Sequence, residues 1–424
     1  MSLIHKIRTE VLPKAVEEGK FGSDKVKFVD FQLDDDLVGE DQFCATVLFG
    51  DVISETNTGD RVVQSVVVKT QTDATDLLSA DRNKFGVAIQ LYNEFLFYEE
   101  ILPLLRKCDT SGHISTLFPR YFYGSVSQGD PTDDFLIFEN VQKLGFKLSS
   151  SKQFIDYDHI ELTLRAVAQF HALSLVCKRK YPHEFKRVVS KISECHWTDI
   201  RLKATDGFYR ENAKRGVIPL RDDPECRDKL GDLWSIIDGM DFTMAKIVTP
   251  VEPLAVVCHG DFCRNNFFYK YDSGGSPVQV MFFDMATIRY ASPVIDLSFF
   301  LYMNSSPELR STRWKDILLT YHSTLISNLQ PEDNPPSFED FKTDFRRRGF
   351  YGYAHASFFL PMMLVEKPER VDEWWNSDIE QLIKIRLATG GEEATQLVTE
   401  IVRHMIDEAY DFKYIVDFKL KKNV

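Results

Sequence analysis

Val256-Val257-Cys258-His259-Gly260-Asp261-Phe262-Cys263-Arg264-Asn265-Asn266 carries an apolar run into a His-Gly-Asp corner and sets an asparagine five positions after the aspartate. A short apolar run ending at such a corner reads as a buried strand that opens into a loop. Phosphoryl transfer asks little covalent chemistry of a protein. It needs one carboxylate to orient and deprotonate a hydroxyl, and oxygen ligands to hold magnesium against nucleotide phosphates. An Asp and an Asn at this spacing supply both.

Outward from the loop, Asn266-Phe267-Phe268-Tyr269 resumes the apolar pattern, Asp272-Ser273-Gly274-Gly275-Ser276 reads as a turn, and Val278-Gln279-Val280-Met281-Phe282-Phe283 returns as a second strand ending at Asp284. The hairpin brings a second carboxylate back toward the loop, where a magnesium-dependent kinase bridges metal to phosphate. The loop His259 to Asn266, Asp284 and Ala291-Ser292-Pro293-Val294-Ile295-Asp296-Leu297 resemble the choline kinase and aminoglycoside phosphotransferase group, most closely its ecdysteroid kinase-like branch. The resemblance covers residues 35 to 300 well and thins toward 400. It implies an α+β, two-lobed protein kinase-like fold. Residues 1–140 would form a mixed-sheet nucleotide-binding lobe, and 141–424 a large, mainly helical lobe with the catalytic loop, the Asp284 hairpin and the acceptor-binding region.

Earlier in the chain, Ser65-Val66-Val67-Val68-Lys69 is a β-branched strand ending on a cation. Alone it reads as a solvated lysine; in kinase folds such a strand sets a lysine against the α and β phosphates. From Phe85 onward Leu91, Phe95, Tyr98, Leu102 and Leu105 recur at helical spacing with Glu94 beside them. A helical glutamate pairs with that lysine in the kinase plan, and Asn93 to Tyr98 followed by Ile101-Leu102-Pro103 resembles the family's form of the helix. Glu99 and Glu100 fall at angles that face water. By resemblance, the turn at Gly39 covers the nucleotide phosphates, and backbone groups of Glu139 and Val141 meet adenine at a hinge.

The resemblance assigns the remaining roles. Asp261 is the base, Asn266 and Asp284 the magnesium ligands, and Asp296 a support for the loop. His259 braces the loop by hydrogen bonding or takes part in proton transfer. Arg264 meets the transferred phosphate or points to solvent. Asp158-His159-Ile160-Glu161 reads as a capping box opening a helix through Lys178, and His171 on it reads as a core residue. Residues 180 to 250 read as helices. The chain departs from the family at Cys263, where an aromatic is usual, and at Met285-Ala286, where the family has an aromatic and Gln.

The bulk numbers fit. The chain has 424 residues with 44% hydrophobic content, enough for a full core. Its 51 basic and 64 acidic residues give a formal charge of -13, which argues against a nucleic-acid or anionic-membrane partner. Met1 to Arg8 has no signal-peptide pattern, and the apolar run Ala356 to Val365 is too short for a membrane span. Seven cysteines without a Cys-x-x-Cys pair suggest reduced thiols in a cytoplasmic protein. No protein partner is implied. The expectation is an ATP- and magnesium-dependent O-phosphotransferase acting on a small alcohol, such as an ecdysteroid. The alternatives are a catalytically inactive member binding nucleotide or small lipid, and a choline- or ethanolamine-type kinase.

Overall fold

The computed structural model describes residues 3–38, 45–71, 86–127, 134–151, 153–365 and 378–417. Five strands, β1 (Lys25–Val38), β2 (Ala45–Thr56), β3 (Arg61–Gln71), β4 (Tyr121–Ser125) and β5 (Phe135–Glu139), form one sheet in the order β1-β2-β3-β5-β4. The mixed sheet expected here resolves into antiparallel pairings throughout. Among the described residues no crossover returns a strand parallel to its neighbour: β1 to β3 meander, and β4 and β5 pair with each other after an excursion whose described part is helical. Consecutive β5 residues alternate between two cores, as a period of two requires. Phe135 and Ile137 pack with Leu12 and Val16 of α1 (Leu12–Glu17). Leu136 and Phe138 join the larger core that fills the helical portion.

The excursion between β3 and β4 is a helical rod: α2 (Val87–Leu96), a π-helical stretch (Phe97–Ile101) and α3 (Leu102–Cys108). Its last residue corrects the reduced-thiol expectation. Cys108 is joined as a disulfide to Cys177 of α4 (Tyr157–Lys180) across a Cα–Cα distance of 6.0 Å. Packing of α3 against α4 brings together residues 69 positions apart, a separation that no spacing rule flags. Helix α4 begins earlier than its expected capping box. Asp156, in extended backbone, caps it by accepting from the His159 N–H at 3.0 Å, whereas Asp158 already lies in the first turn. This helix is long and apolar enough to cross a membrane, but 72% of its most apolar window is buried inside the structure, as a core helix requires.

Residues 180–250 are helical as expected, from Pro182–Val189 to Met240–Ile247. Then come the short pairs that carry the site: β6 (Val256–Cys258) with β9 (Arg289–Ala291), and β7 (Phe267–Tyr271) with β8 (Pro277–Phe282). Helix α5 (Val294–Asn304) follows, buried on every side, and packs against α6 (Phe350–Met362). Gly352 allows that approach, because a Cβ there would sit 2.1 Å from the Ser298 carbonyl oxygen. The obstacle is backbone and cannot rotate away. Gly352→Ala should therefore destabilise the protein by about 3 kcal/mol, read as a lowered urea midpoint; an unchanged midpoint would mean that the helices do not approach this closely.

Candidate active site

Strand β6 is apolar and buried along its length, and the loop it delivers turns sharply at Gly260. Gly260 has φ +88, and a Cβ there would lie 1.9 Å from the Thr287 carbonyl oxygen, so only glycine fits. Asp261 comes next. A single 3-10 turn, Arg264–Asn266, then swings Asn266 back. Its Nδ2 donates to the Asp261 carbonyl at 2.8 Å and to Asp261 Oδ2 at 3.0 Å, so the amide oxygen points away from Asp261. The five-residue spacing thus closes a small loop on itself. In the neighbouring hairpin Phe267 pairs with Phe282, and the Phe283 N–H donates to the Asn266 carbonyl at 3.0 Å. Asp284 follows in the left-handed region, φ 62 and ψ 61, a conformation uncommon for a side-chain-bearing residue.

Lys69, near the end of β3, sends its Nζ to Asp284 Oδ1 at 2.6 Å and to Glu94 Oε2 on α2 at 2.6 Å. The two bonds join residues 25 and 215 positions apart. Burial would discharge Lys69, but the two carboxylates outweigh it and raise its pKa. Burial pushes Glu94 above the usual carboxylate range, against the pull of Lys69. At Asp284 burial also acts upward, but the Lys69 ammonium wins and holds it low. Asp261 is raised, first by burial and then by the neighbouring Asp284 charge, with His259 and Asn266 opposing. Beside Glu94, the buried Asn93 donates to the carbonyls of Ser193 at 2.8 Å and Ala286 at 3.4 Å, fixing the helix to the segment that follows Asp284.

These groups can hold a nucleotide and its metal. The Asp284 side chain is 39% exposed, and with the Asn266 amide oxygen it offers the hard oxygen donors that magnesium prefers. Lys69 could supply a cation for phosphate.

Behind the loop, fully buried Asp296 in the first turn of α5 accepts the His259 N–H at 2.7 Å and the Gly260 N–H at 2.8 Å. His171 Nε2 reaches it at 3.2 Å, and His171 Nδ1 meets the Tyr321 hydroxyl at 2.9 Å. His171 is thus a core histidine, as expected, but one that touches the loop's anchor. His259 Nε2–H donates to the Phe283 carbonyl at 2.9 Å, bracing the two strand ends against each other.

Other expected residues are less engaged. Gly39 lies outside the described residues. The Glu139 N–H donates to the Arg120 carbonyl at 2.8 Å, and the Val141 carbonyl accepts from the Phe146 N–H at 3.3 Å. Any adenine contact would use the Glu139 carbonyl and the Val141 N–H. Arg264 donates to the Ser151 carbonyl. Glu99 stays exposed but accepts from Tyr121, and Glu100 pairs with Arg187 and Lys191.

The sequence reading missed one group. Arg289, 4% exposed, donates to the Tyr351 hydroxyl at 2.8 Å and to Glu194 at 3.3 Å, while Tyr351 donates to the Gly260 carbonyl at 3.4 Å. Trp197 packs edge-on against both Tyr351 and His355, and its Nε1 is buried and unpartnered among the described residues. Burial pushes the His355 imidazole down to about 3, and burial with Arg201 and Arg289 depresses His196 as well. The only sequence signal was the Gly349-Phe350-Tyr351-Gly352 resemblance, which names no role.

Burial would raise the Asp296 carboxyl, but the His171 bond and charge, with His259 and the Gly260 N–H, hold it below its ordinary value. A depressed carboxylate stabilises the fold above its unfolded pKa of about 3.9, and that contribution is lost as pH falls through the lower folded value. Asp296→Asn should cost about 3 kcal/mol at neutral pH, and its urea midpoint should approach that of the wild type below about pH 4. A gap that stays constant on acidification would remove this ionised carboxylate from the account.

The sequence pattern of the ecdysteroid kinase-like family matches residues 39–331. No curated protein matches the chain. Among solved structures, a Plasmodium vivax ethanolamine kinase aligns at 10% identity and TM-score 0.41, covering 89% of this chain and 83% of its own. ADP-bound aminoglycoside phosphotransferase APH(2'')-Ib aligns at 12% and 0.34, covering 94% and 99%. Scores this low leave substrate and mechanism to be argued from the site. The family match spans more than half of the chain and takes in every site residue named above from Lys69 to Asp296, and on it the protein belongs to the ecdysteroid kinase-like family.

Proposed function

We propose that the protein is an ATP-dependent, magnesium-assisted O-phosphotransferase acting on the hydroxyl of a small molecule. The observation that carries this reading is the convergence of four side chains. Lys69 bonds Asp284 at 2.6 Å, Asn266 bonds Asp261 at 3.0 Å, and the two aspartates lie close enough for their charges to act on each other. Asn266 and Asp284 would hold magnesium, and Lys69, steadied by Glu94, would meet the α and β phosphates. Bound MgATP supplies the phosphoryl group and neutralises the charge on its oxygens.

Asp261 orients the acceptor hydroxyl and takes its proton. Its Oδ2 is held by Asn266, whereas Oδ1 has only a long Cys263 Sγ contact at 3.9 Å, so Oδ1 is the atom that receives the proton. Asn266 keeps that carboxylate from rotating away, a positioning role. His259 and Asp296 act one step further back by fixing the loop's backbone.

The surroundings of Asp261 favour a neutral acceptor over an amino alcohol. Arg289 lies close enough for its charge to act on Asp261, and the Tyr351 it bonds packs against Trp197 and His355. Glu194, the carboxylate of that group, is already paired with Arg289. The acceptor this reading favours is a hydroxylated apolar molecule, such as an ecdysteroid or another steroid alcohol.

Magnesium-dependent ATP consumption against a panel of steroid alcohols, phenolic glycosides and amino alcohols tests the reading, with turnover expected on the neutral members. ATP binding without turnover across the whole panel would instead favour an inactive nucleotide-binding member. Asp261→Asn should retain nucleotide affinity and lower kcat by about 10²- to 10⁴-fold; unchanged kcat would remove Asp261 as the base. Lys69→Ala should weaken ATP binding by about tenfold, or 1.4 kcal/mol, in calorimetry.

A further inference from the structure

A second cavity, of about 640 Å³, opens between the helical rod of residues 87–108 and β4. Neither Lys69 nor Asp261, Asn266 or Asp284 lines it. Its apolar wall is Tyr98, Leu102, Pro103 and Phe122, with Tyr121 stacked on Tyr98 at a centroid distance of 5.4 Å. Three cations, Lys20, Arg106 and Arg120, face two carboxylates, Glu99 and Glu139. Glu99 is engaged by the Tyr121 hydroxyl at 2.7 Å. Arg120 lies 4.8 Å over the Phe122 ring and donates to the Lys20 carbonyl at 3.3 Å. The Arg106 guanidinium makes no hydrogen bond or ion pair among the described residues.

We infer that this cavity binds a small organic anion, a carboxylate or phosphate monoester carried on an apolar or aromatic body. An unpaired guanidinium beside a second one matches the planar, multi-oxygen face of such a head group. The stacked tyrosines, Leu102 and Pro103 take the apolar part.

The position connects this site to the cleft. Tyr98 lies one helical turn beyond Glu94, in the π-helical stretch Phe97–Ile101, a distortion that often marks functional places. Tyr98 also packs 4.9 Å from Phe138, the residue before Glu139, and Glu139 lines the cavity at the expected adenine hinge. An occupant therefore touches the helix that holds the lysine's partner and the end of the strand that leads to the hinge. Its binding and that of nucleotide would influence each other reciprocally.

Calorimetric titration of the full chain with phenyl phosphate, phenylacetate and phenethylamine tests the site, comparing wild type with Arg106→Glu. Arg106 is exposed, so the charge reversal should lower the melting temperature only slightly, through loss of a cation in the last turn of α3. One anion per chain should bind, phenethylamine should not, and Arg106→Glu should weaken the anion by about tenfold or more. Tighter phenyl phosphate than phenylacetate binding would point to phosphorylated metabolites as ligands, and the reverse order to carboxylic acids. Equal anion affinity in the two proteins, absence of anion binding, or preferential binding of phenethylamine would each overturn the proposal.

Discussion

The Lys69 ammonium, held between Glu94 and Asp284 at 2.6 Å each, is the interaction on which the rest of the centre depends. An ammonium and a carboxylate taken out of water are each costly unless paired, and removing one partner of a buried pair costs about 3–5 kcal/mol. The sheet, the rod and the hairpin therefore cannot separate freely: each contributes one charge to the cluster. The balance is also uneven. Lys69 is opposed by Glu94, Asp284 and the neighbouring Asp261, so negative charge exceeds positive, which agrees with burial and Asp284 together raising Asp261. A centre with surplus oxygen anions and a fixed ammonium has the donor types that a divalent cation and a phosphate take.

The loop that carries Asp261 is held from behind by a different device. Asp296 takes two consecutive backbone N–H groups and a histidine, so its buried oxygens are satisfied and the loop is fixed without using the side chains that face the cleft. Gly260 makes this possible, because the backbone turns there at φ +88 where any side chain would meet Thr287. His171 then connects the anchor to Tyr321 and to α4. A residue can therefore be structural in its own contacts and still be one hydrogen bond from the carboxylate that anchors the Asp261 loop.

How much of this could be read from the chain depends on what kind of contact is involved. Asp261 with Asn266, Asp284 at a strand end, Lys69 on its strand and Glu94 on its helix depend on side-chain type at a fixed position, and sequence records both. The left-handed backbone at Asp284 leaves no such mark, since aspartate also occupies ordinary conformations. The backbone groups at Glu139 and Val141 are common to every residue type, so only position suggests them. Arg289, Tyr351 and Glu194 meet from three distant segments, and the Cys108–Cys177 pairing depends on how two helices pack. The earlier start of α4 is smaller in scale: Asp156 and Asp158 are both acceptable caps, and the extended backbone of Asp156 decides between them.

The rod of residues 87–108 draws these parts into one frame. Glu94 and Asn93 near its middle hold Lys69 and the segment after Asp284. Its end, Cys108, is bonded to Cys177 of α4, and His171 on the same helix reaches Asp296 and so the Asp261 loop. His171 and Cys177 are six residues apart, about 9 Å along a helix. The Lys69 clamp and the Asp261 loop, contributed by distant stretches of the chain, are thus set by one continuous run of packed and bonded elements. Rigid supports of this kind are what phosphoryl transfer demands, because its barrier is lowered chiefly by positioning and charge rather than by covalent chemistry. The π-helical stretch interrupts that frame between its two attachments, and it is there that Tyr98 faces the second cavity.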